Sequence, residues 1–133
     1  MKLFRANDGA TVVEFALILP LFLLLMGGII EFGRYVYVGT TLKSAAMQAV
    51  RMAVVRSDAS GNSVTKSEIV TYAQGKAFGV DTQSCPPEVT YTAGNLPGST
   101  VAVRFNCPFA FAIPGLNLLN IFVTQQASMN IST

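Results

Sequence analysis

Apolar residues run almost without interruption from Ala10 to Ile30, and no later stretch of the chain repeats this pattern. The run is about 20 residues, or ~30 Å as a helix, which matches the hydrocarbon core of a bilayer. Pro20 sits in the middle, where it removes one backbone hydrogen bond and would loosen or kink the helix. Gly27 and Gly28 add a second soft spot. A membrane helix tolerates both features, because neighbouring groups can satisfy the freed carbonyl. Four turns without a polar residue argue against a helix buried in a soluble core. A secretory signal peptide is the other alternative. Its apolar core is usually shorter, and its small-residue junction follows that core. Here the small pair Gly9-Ala10 comes first, and an acid, Glu14, lies near the start of the run.

From Phe32 to Val55 the period becomes helical and amphipathic. Val38, Leu42, Ala45, Ala46, Ala49 and Ala53 fall on one side, while Thr40, Lys43, Ser44, Gln48 and Arg51 fall on the other. The alanine-rich side predicts close packing against a sheet or another helix. Span and amphipathic stretch together predict one long rod. The polar segment Ser57–Ser63 ends it. Thr65 followed by Glu68 matches a capping box, and Ile69, Tyr72, Ala73 and Ala77 follow at helical spacing. A short helix is predicted from about Lys66 to Phe78, stopped by Gly79.

Past Cys85 the period drops to two. Val89 and Tyr91, then Val101, Val103 and Phe105, alternate with polar or small residues, and Asn95-Leu96-Pro97-Gly98 supplies a turn. An antiparallel pair follows, with Cys107 expected just after its second strand. Pro108 to Leu119 is apolar but broken by Pro114-Gly115, so it reads as a packed loop or an exposed partner patch. Alternation returns from Ile121 to Ser132, predicting a third strand. The fold class is therefore α+β: a long transmembrane-plus-amphipathic helix, a short helix and a small antiparallel sheet of about three strands. The expected divisions are residues 1–9 as a short basic leader, 10–56 as the rod and 57–133 as a small outer domain.

Composition fits two materials joined together. Only 12% of the 133 residues are charged while 51% are hydrophobic, and a soluble domain usually carries about twice that charged share. The net charge of +2 is scattered, with no basic run interleaved with aromatics, so nucleic acid is not an expected partner. Histidine is absent, which removes the commonest general base and metal ligand. No metal, cofactor or catalytic residue is expected. The acids outside the span form no close motif. The two cysteines, Cys85 and Cys107, read either as buried thiols or as a disulfide. A hairpin would bring them together at its open end, and an oxidising compartment would then favour the bond.

Charge flanking the run is nearly balanced. Lys2 and Arg5 oppose Asp8 on one side, and Arg34 and Lys43 oppose Glu31 on the other, so the positive-inside bias is slight. The short basic N-terminus and the cysteine pair together predict N-in, C-out topology, with the outer domain on the oxidising side.

Glu14 carries the sharpest chemistry. A carboxylate in an apolar helix is costly and usually functional. Snorkelling to the interface explains its tolerance but not its spacing. A cut between Gly9 and Ala10 would give Ala10 a new α-ammonium and make Glu14 the fifth residue. In a bundle of parallel helices, Glu14 could pair with the ammonium of a neighbour. Removing Lys2 and Arg5 would release the end from the cytoplasmic face.

That junction resembles the processing site of type IV prepilins. The stretch Gly9-Ala10-Thr11-Val12-Val13-Glu14-Phe15-Ala16-Leu17-Ile18-Leu19-Pro20 resembles the TadE-like family. So do Ile30-Glu31-Phe32-Gly33-Arg34-Tyr35 and the helix Ala45 to Arg51. The resemblance covers about Gly9 to Ala53. It implies a pseudopilin or minor pilin of the tight-adherence (Flp) pilus machinery, anchored once in the bacterial inner membrane with its outer domain in the periplasm. It also implies cutting by a prepilin peptidase at Gly9 and Ala10, with Glu14 and Phe15 in recognition or assembly. The implied partners are that peptidase, co-assembling pilins, an inner-membrane assembly platform and the lipid bilayer. The competing expectation is an uncleaved anchor carrying a periplasmic ligand-binding or enzymatic module, with a ligand site near Pro108 to Leu119.

Overall fold

A computed structural model describes residues 6–113 and 119–132. The basic leader residues Lys2 and Arg5, and the Pro114-Gly115 break, lie outside the described residues. Helix α1 is Ala6–Val55, a 3₁₀ turn follows at Asp58–Ser60, and α2 is Lys66–Lys76. Strands β1 (Glu88–Tyr91), β2 (Thr100–Phe109) and β3 (Ile121–Asn130) complete the α+β fold. The chain divides into two compact units, residues 1–34 and 35–133.

The first unit contains the apolar part of α1. From Val12 to Ile30 every large apolar side chain is exposed; Leu17, for example, is 74% accessible. The helix is long and apolar enough to cross a membrane. It runs unbroken through Pro20. It is already helical at Ala6, the first described residue, so the Gly9–Ala10 bond lies inside the helix.

The second unit has a single core. Leu42, Ala45, Ala46, Ala49 and Ala53 of α1 are buried in it, as the amphipathic pattern predicts; Val38 is half-buried, and Val50, outside the expected face, is buried with them. The residues opposite, including Lys43, Ser44, Gln48 and Arg51, are exposed. Five of those six core positions are alanine or valine, so the helix backbone can approach its neighbours closely. Ile69 and Ala73 of α2 join the same core, as do Val101, Val103, Phe105, Cys107 and Phe109 of β2.

The short helix starts as its sequence predicts. The Thr65 hydroxyl accepts from the Glu68 amide at 3.3 Å, and the Glu68 carboxylate accepts from the Thr65 amide at 2.8 Å. Val64 and Ile69, the positions on either side of this box that form a hydrophobic staple, are both buried. The helix stops at Lys76, two residues earlier than expected, and the chain then turns through Gly79 at φ +74°. A side chain at Gly79 would be strained there, and its Cβ would lie 3.3 Å from the Tyr37 hydroxyl.

The sheet is antiparallel in the order β1-β2-β3. One face, formed by Val101, Val103, Phe105, Cys107 and Phe109 of the middle strand, turns to the core. The other face is polar, with Thr124 donating to Asn106 at 2.9 Å and Thr100 donating to Asn130 at 2.6 Å across the strands. The middle strand is longer than expected: Cys107 and Pro108 lie within β2, not beyond it. β1 stops pairing at Arg104, whereas β3 pairs as far as Phe109. Past Arg104, β2 therefore has one open edge, where a strand tolerates proline.

Candidate functional site

The residues singled out by sequence fall into two groups, one in each unit. Gly9, Ala10, Glu14 and Phe15 all lie on α1 and all are exposed. Ala10 and Glu14 are four apart, so the helix stacks them on one face one turn from each other. Glu14 therefore shares a helix face with Ala10, whose nitrogen would become an amine if the bond after Gly9 were cut. Phe15, at 64% exposure, is the next residue round the helix. The site consists of a carboxylate, a latent amine and an exposed apolar surface.

At the other end of the apolar run is a second carboxylate whose burial the sequence did not reveal. Glu31 is only 5% exposed, and Arg34 donates to it at 2.8 Å. The i,i+3 spacing was readable, since residues three apart on a helix are neighbours.

In the second unit, Cys85 and Cys107 are joined in a disulfide, with Cα atoms 5.1 Å apart. The bond links the segment before β1 to the middle strand, and both cysteines are buried. The hairpin argument for the pairing holds, although Cys107 belongs to the strand. Between the end of β2 and the start of β3 is an open hollow of about 280 Å³, lined by Pro108, Phe109, Ala110, Leu119, Asn120, Ile121 and Phe122. None of these side chains is charged. Among the described residues, no group of three or more His, Cys, Asp or Glu is placed to hold a metal ion.

Among the described residues of this unit, Glu68 and Tyr91 have displaced pKa values. The hydrogen bond from the Thr65 backbone, then that from its hydroxyl, holds the Glu68 carboxyl below its ordinary 4.5, and the Arg56 charge adds to this. Burial, and secondarily the Asp58 charge, pushes the Tyr91 phenol up. The first follows from the cap. The second belongs to a residue stacked under Lys66, whose ammonium lies 5.7 Å from the ring centre.

Together these features define a helix-anchored protein: one helix apolar enough to cross a membrane, an acid near its start, and a disulfide-stapled α+β domain on the same chain. The family model described as TadE-like protein matches residues 9–51. The match takes in Gly9, Ala10, Glu14, Phe15, the Glu31–Arg34 pair and most of the alanine face, and it ends before the sheet begins. Comparison with curated proteins and with solved structures finds no match.

Proposed function

We propose that this protein is a minor pilin or pseudopilin needed to assemble a tight-adherence type IV-like pilus. A prepilin peptidase cuts between Gly9 and Ala10. The new Ala10 ammonium and Glu14 then form the contact by which neighbouring subunits recognise each other in the bundle. The leader is cytoplasmic, α1 crosses the inner membrane once, and the outer domain folds in the periplasm. Its partners are the peptidase, the other pilins of the same system and the inner-membrane platform that assembles them.

The TadE-like match over residues 9–51 carries this reading. The placement of Glu14 one helical turn after Ala10 supports it, since neutralising two charges against each other lowers the cost of holding both in lipid. The disulfide supports an oxidising destination for the outer domain.

The test is the terminus of the mature chain. Mass spectrometry of protein extracted from its native membranes should find a chain that begins at Ala10. A chain still carrying the leader, in cells whose peptidase cuts other prepilins, sinks the proposal and leaves the uncleaved anchored module.

A further inference from the structure

The two edges of the sheet are finished differently. On one side β1 is only four residues long and begins with Glu88. Where it stops, the edge of β2 carries Pro108, whose nitrogen has no hydrogen to offer. A short strand, a charge and a proline are devices that keep sheets from pairing edge to edge. On the other side β3 has none of them. It runs ten residues, Ile121–Asn130, without a charged residue or a proline. Its register with β2 continues from end to end without a bulge.

Two hydrogen bonds give the direction of the backbone along that edge. The Thr92 amide donates to the Thr100 carbonyl at 3.0 Å, and the Ile131 amide donates to the Ser99 carbonyl at 2.8 Å. Both pairs continue the strand registers, and pairs in an antiparallel ladder alternate between bonded and non-bonded. Even-numbered residues of β2 therefore bond towards β1, and odd-numbered ones towards β3. On β3 it is the odd-numbered residues that bond to β2. Phe122, Thr124, Gln126, Ser128 and Asn130 direct their backbone N–H and C=O groups away from the sheet. All five are exposed, and among the described residues no strand pairs with them on that side.

The part of α1 in the same unit runs alongside this edge. At Gly39 the helix comes close: a Cβ there would lie 3.6 Å from the Gln125 side chain and 3.8 Å from that of Val123. Further along, an open hollow of about 280 Å³ lies between Lys43, Met47, Val50 and Arg51 of the helix and residues 126–129 of β3. Met47 is 54% and Met129 40% exposed. Lys43 and Arg51 are exposed too, and among the described residues neither has a carboxylate within ion-pair reach. No acid lines the hollow.

We propose that the β3 edge is a strand-addition site for an extended acidic segment of a partner protein. The backbone of that segment pairs with the outward groups of β3. Two of its carboxylates, four residues apart, meet Lys43 and Arg51. The spacings agree. Eight residues of helix rise about 12 Å, and strand residues four apart on one face are about 13 Å apart. The apolar residue between the two acids falls on Met47, halfway along that interval. Backbone pairing gives a site of this kind its affinity, and alternate side chains give it specificity. A second copy of the chain is the rival occupant. Its β3 carries no acid, and none of the seven acids in the chain lies four residues from another, so a second copy leaves the two cations unmatched. The site does not depend on a cut after Gly9.

The probe is a fluorescein-labelled nine-residue peptide. It has threonine at the even positions, glutamate at the third and seventh, and valine at the other odd positions. It is titrated into the full-length protein in uncharged detergent micelles, and binding is read by fluorescence anisotropy. A counterpart with glutamine in place of both glutamates should bind at least tenfold more weakly. K43E/R51E should weaken the glutamate peptide at least tenfold and take a lysine counterpart instead. Gln126→Pro removes an outward N–H without removing a β2–β3 hydrogen bond, so it should abolish binding and leave the near-UV circular dichroism unchanged. Residue-resolved amide exchange needs no variant. The peptide should protect the Thr124, Gln126 and Ser128 amides at least tenfold and leave Gln125 and Ala127, already bonded to β2, as they were. Equal affinity for the glutamate and glutamine peptides overturns the acidic occupant. Binding without that new protection, or full binding to folded Q126P, overturns strand pairing. No binding at millimolar peptide overturns the site. Self-association of the chain alone that Q126P abolishes assigns the edge to a second copy and overturns the proposal as well.

Discussion

Cys85 and Cys107 are bonded across 22 residues of chain, tying the segment before β1 to the middle strand of the sheet. Closing a loop of that length removes about 3 kcal/mol of chain entropy from the unfolded state, on a model-dependent estimate. Near-UV circular dichroism of the full chain in detergent should show a thermal midpoint lowered by several degrees when the bond is reduced. Cys85→Ser/Cys107→Ser should lose about as much. An unchanged midpoint under both treatments would mean that the core, not the staple, holds the domain.

The Thr65–Glu68 box makes a prediction about acid. The Glu68 carboxyl is held below its ordinary 4.5 in the folded chain. A carboxylate with a depressed folded value stabilises the fold at pH above its unfolded value. That contribution fades as pH falls below 4.5 and is gone once the folded value is passed. Glu68→Gln should therefore cost stability at neutral pH and nothing at the acid end, so wild type and variant converge as pH drops. Thr65→Ala should cost about 1 kcal/mol by loss of the cap. Urea titrations at several pH values read both effects, and parallel curves for wild type and E68Q would refute the linkage.

Ala49 has no accessible surface, whereas Gln48 beside it is exposed. Forcing extra methylenes into a packed core typically costs 1–3 kcal/mol or somewhat more. Ala49→Leu should therefore destabilise the outer domain by about 3 kcal/mol, and Gln48→Leu should stay within about 0.5 kcal/mol of wild type. Equal effects of the two would show that the alanine face is not where the helix meets the core.

Glu14→Gln keeps size and removes charge. If Glu14 acts by pairing with the Ala10 ammonium, E14Q should leave the outer domain's unfolding midpoint unchanged and reduce incorporation into pili at least tenfold. Incorporation is read by immunoblot of sheared pili against the membrane fraction. Normal incorporation of E14Q would remove the charge pair from the mechanism, whatever the terminus of the chain.

Much of this architecture was written in periodicity. The alanine face, the capping box and all three strands appear where their patterns recur, because each pattern follows from which side of an element meets the core. The misses have physical causes. The core face of β2 continues from Phe105 through Cys107 to Phe109, whereas the alternation was followed only to Phe105. Only the shorter reach of β1 leaves an edge where Pro108 fits. The gathering of Phe78 with Tyr37 depends on a contact between distant parts of the chain, which no local pattern encodes. Of the candidate site, the residue types and spacing at Gly9, Ala10 and Glu14 were readable, and the cut itself is a matter for the terminus experiment.

The winding of α1 through the candidate cleavage point also bears on when that cut could happen. Proteases seat their substrates as extended strands, and a peptide bond wound inside a helix is withheld from them. The Gly9–Ala10 bond lies inside α1, so a peptidase acting here would first have to unwind the helix around it. Glycine is about 1 kcal/mol poorer than alanine at holding a helix. Replacing Gly9 with alanine would then slow processing for two separable reasons, a lost recognition element and a stiffer helix.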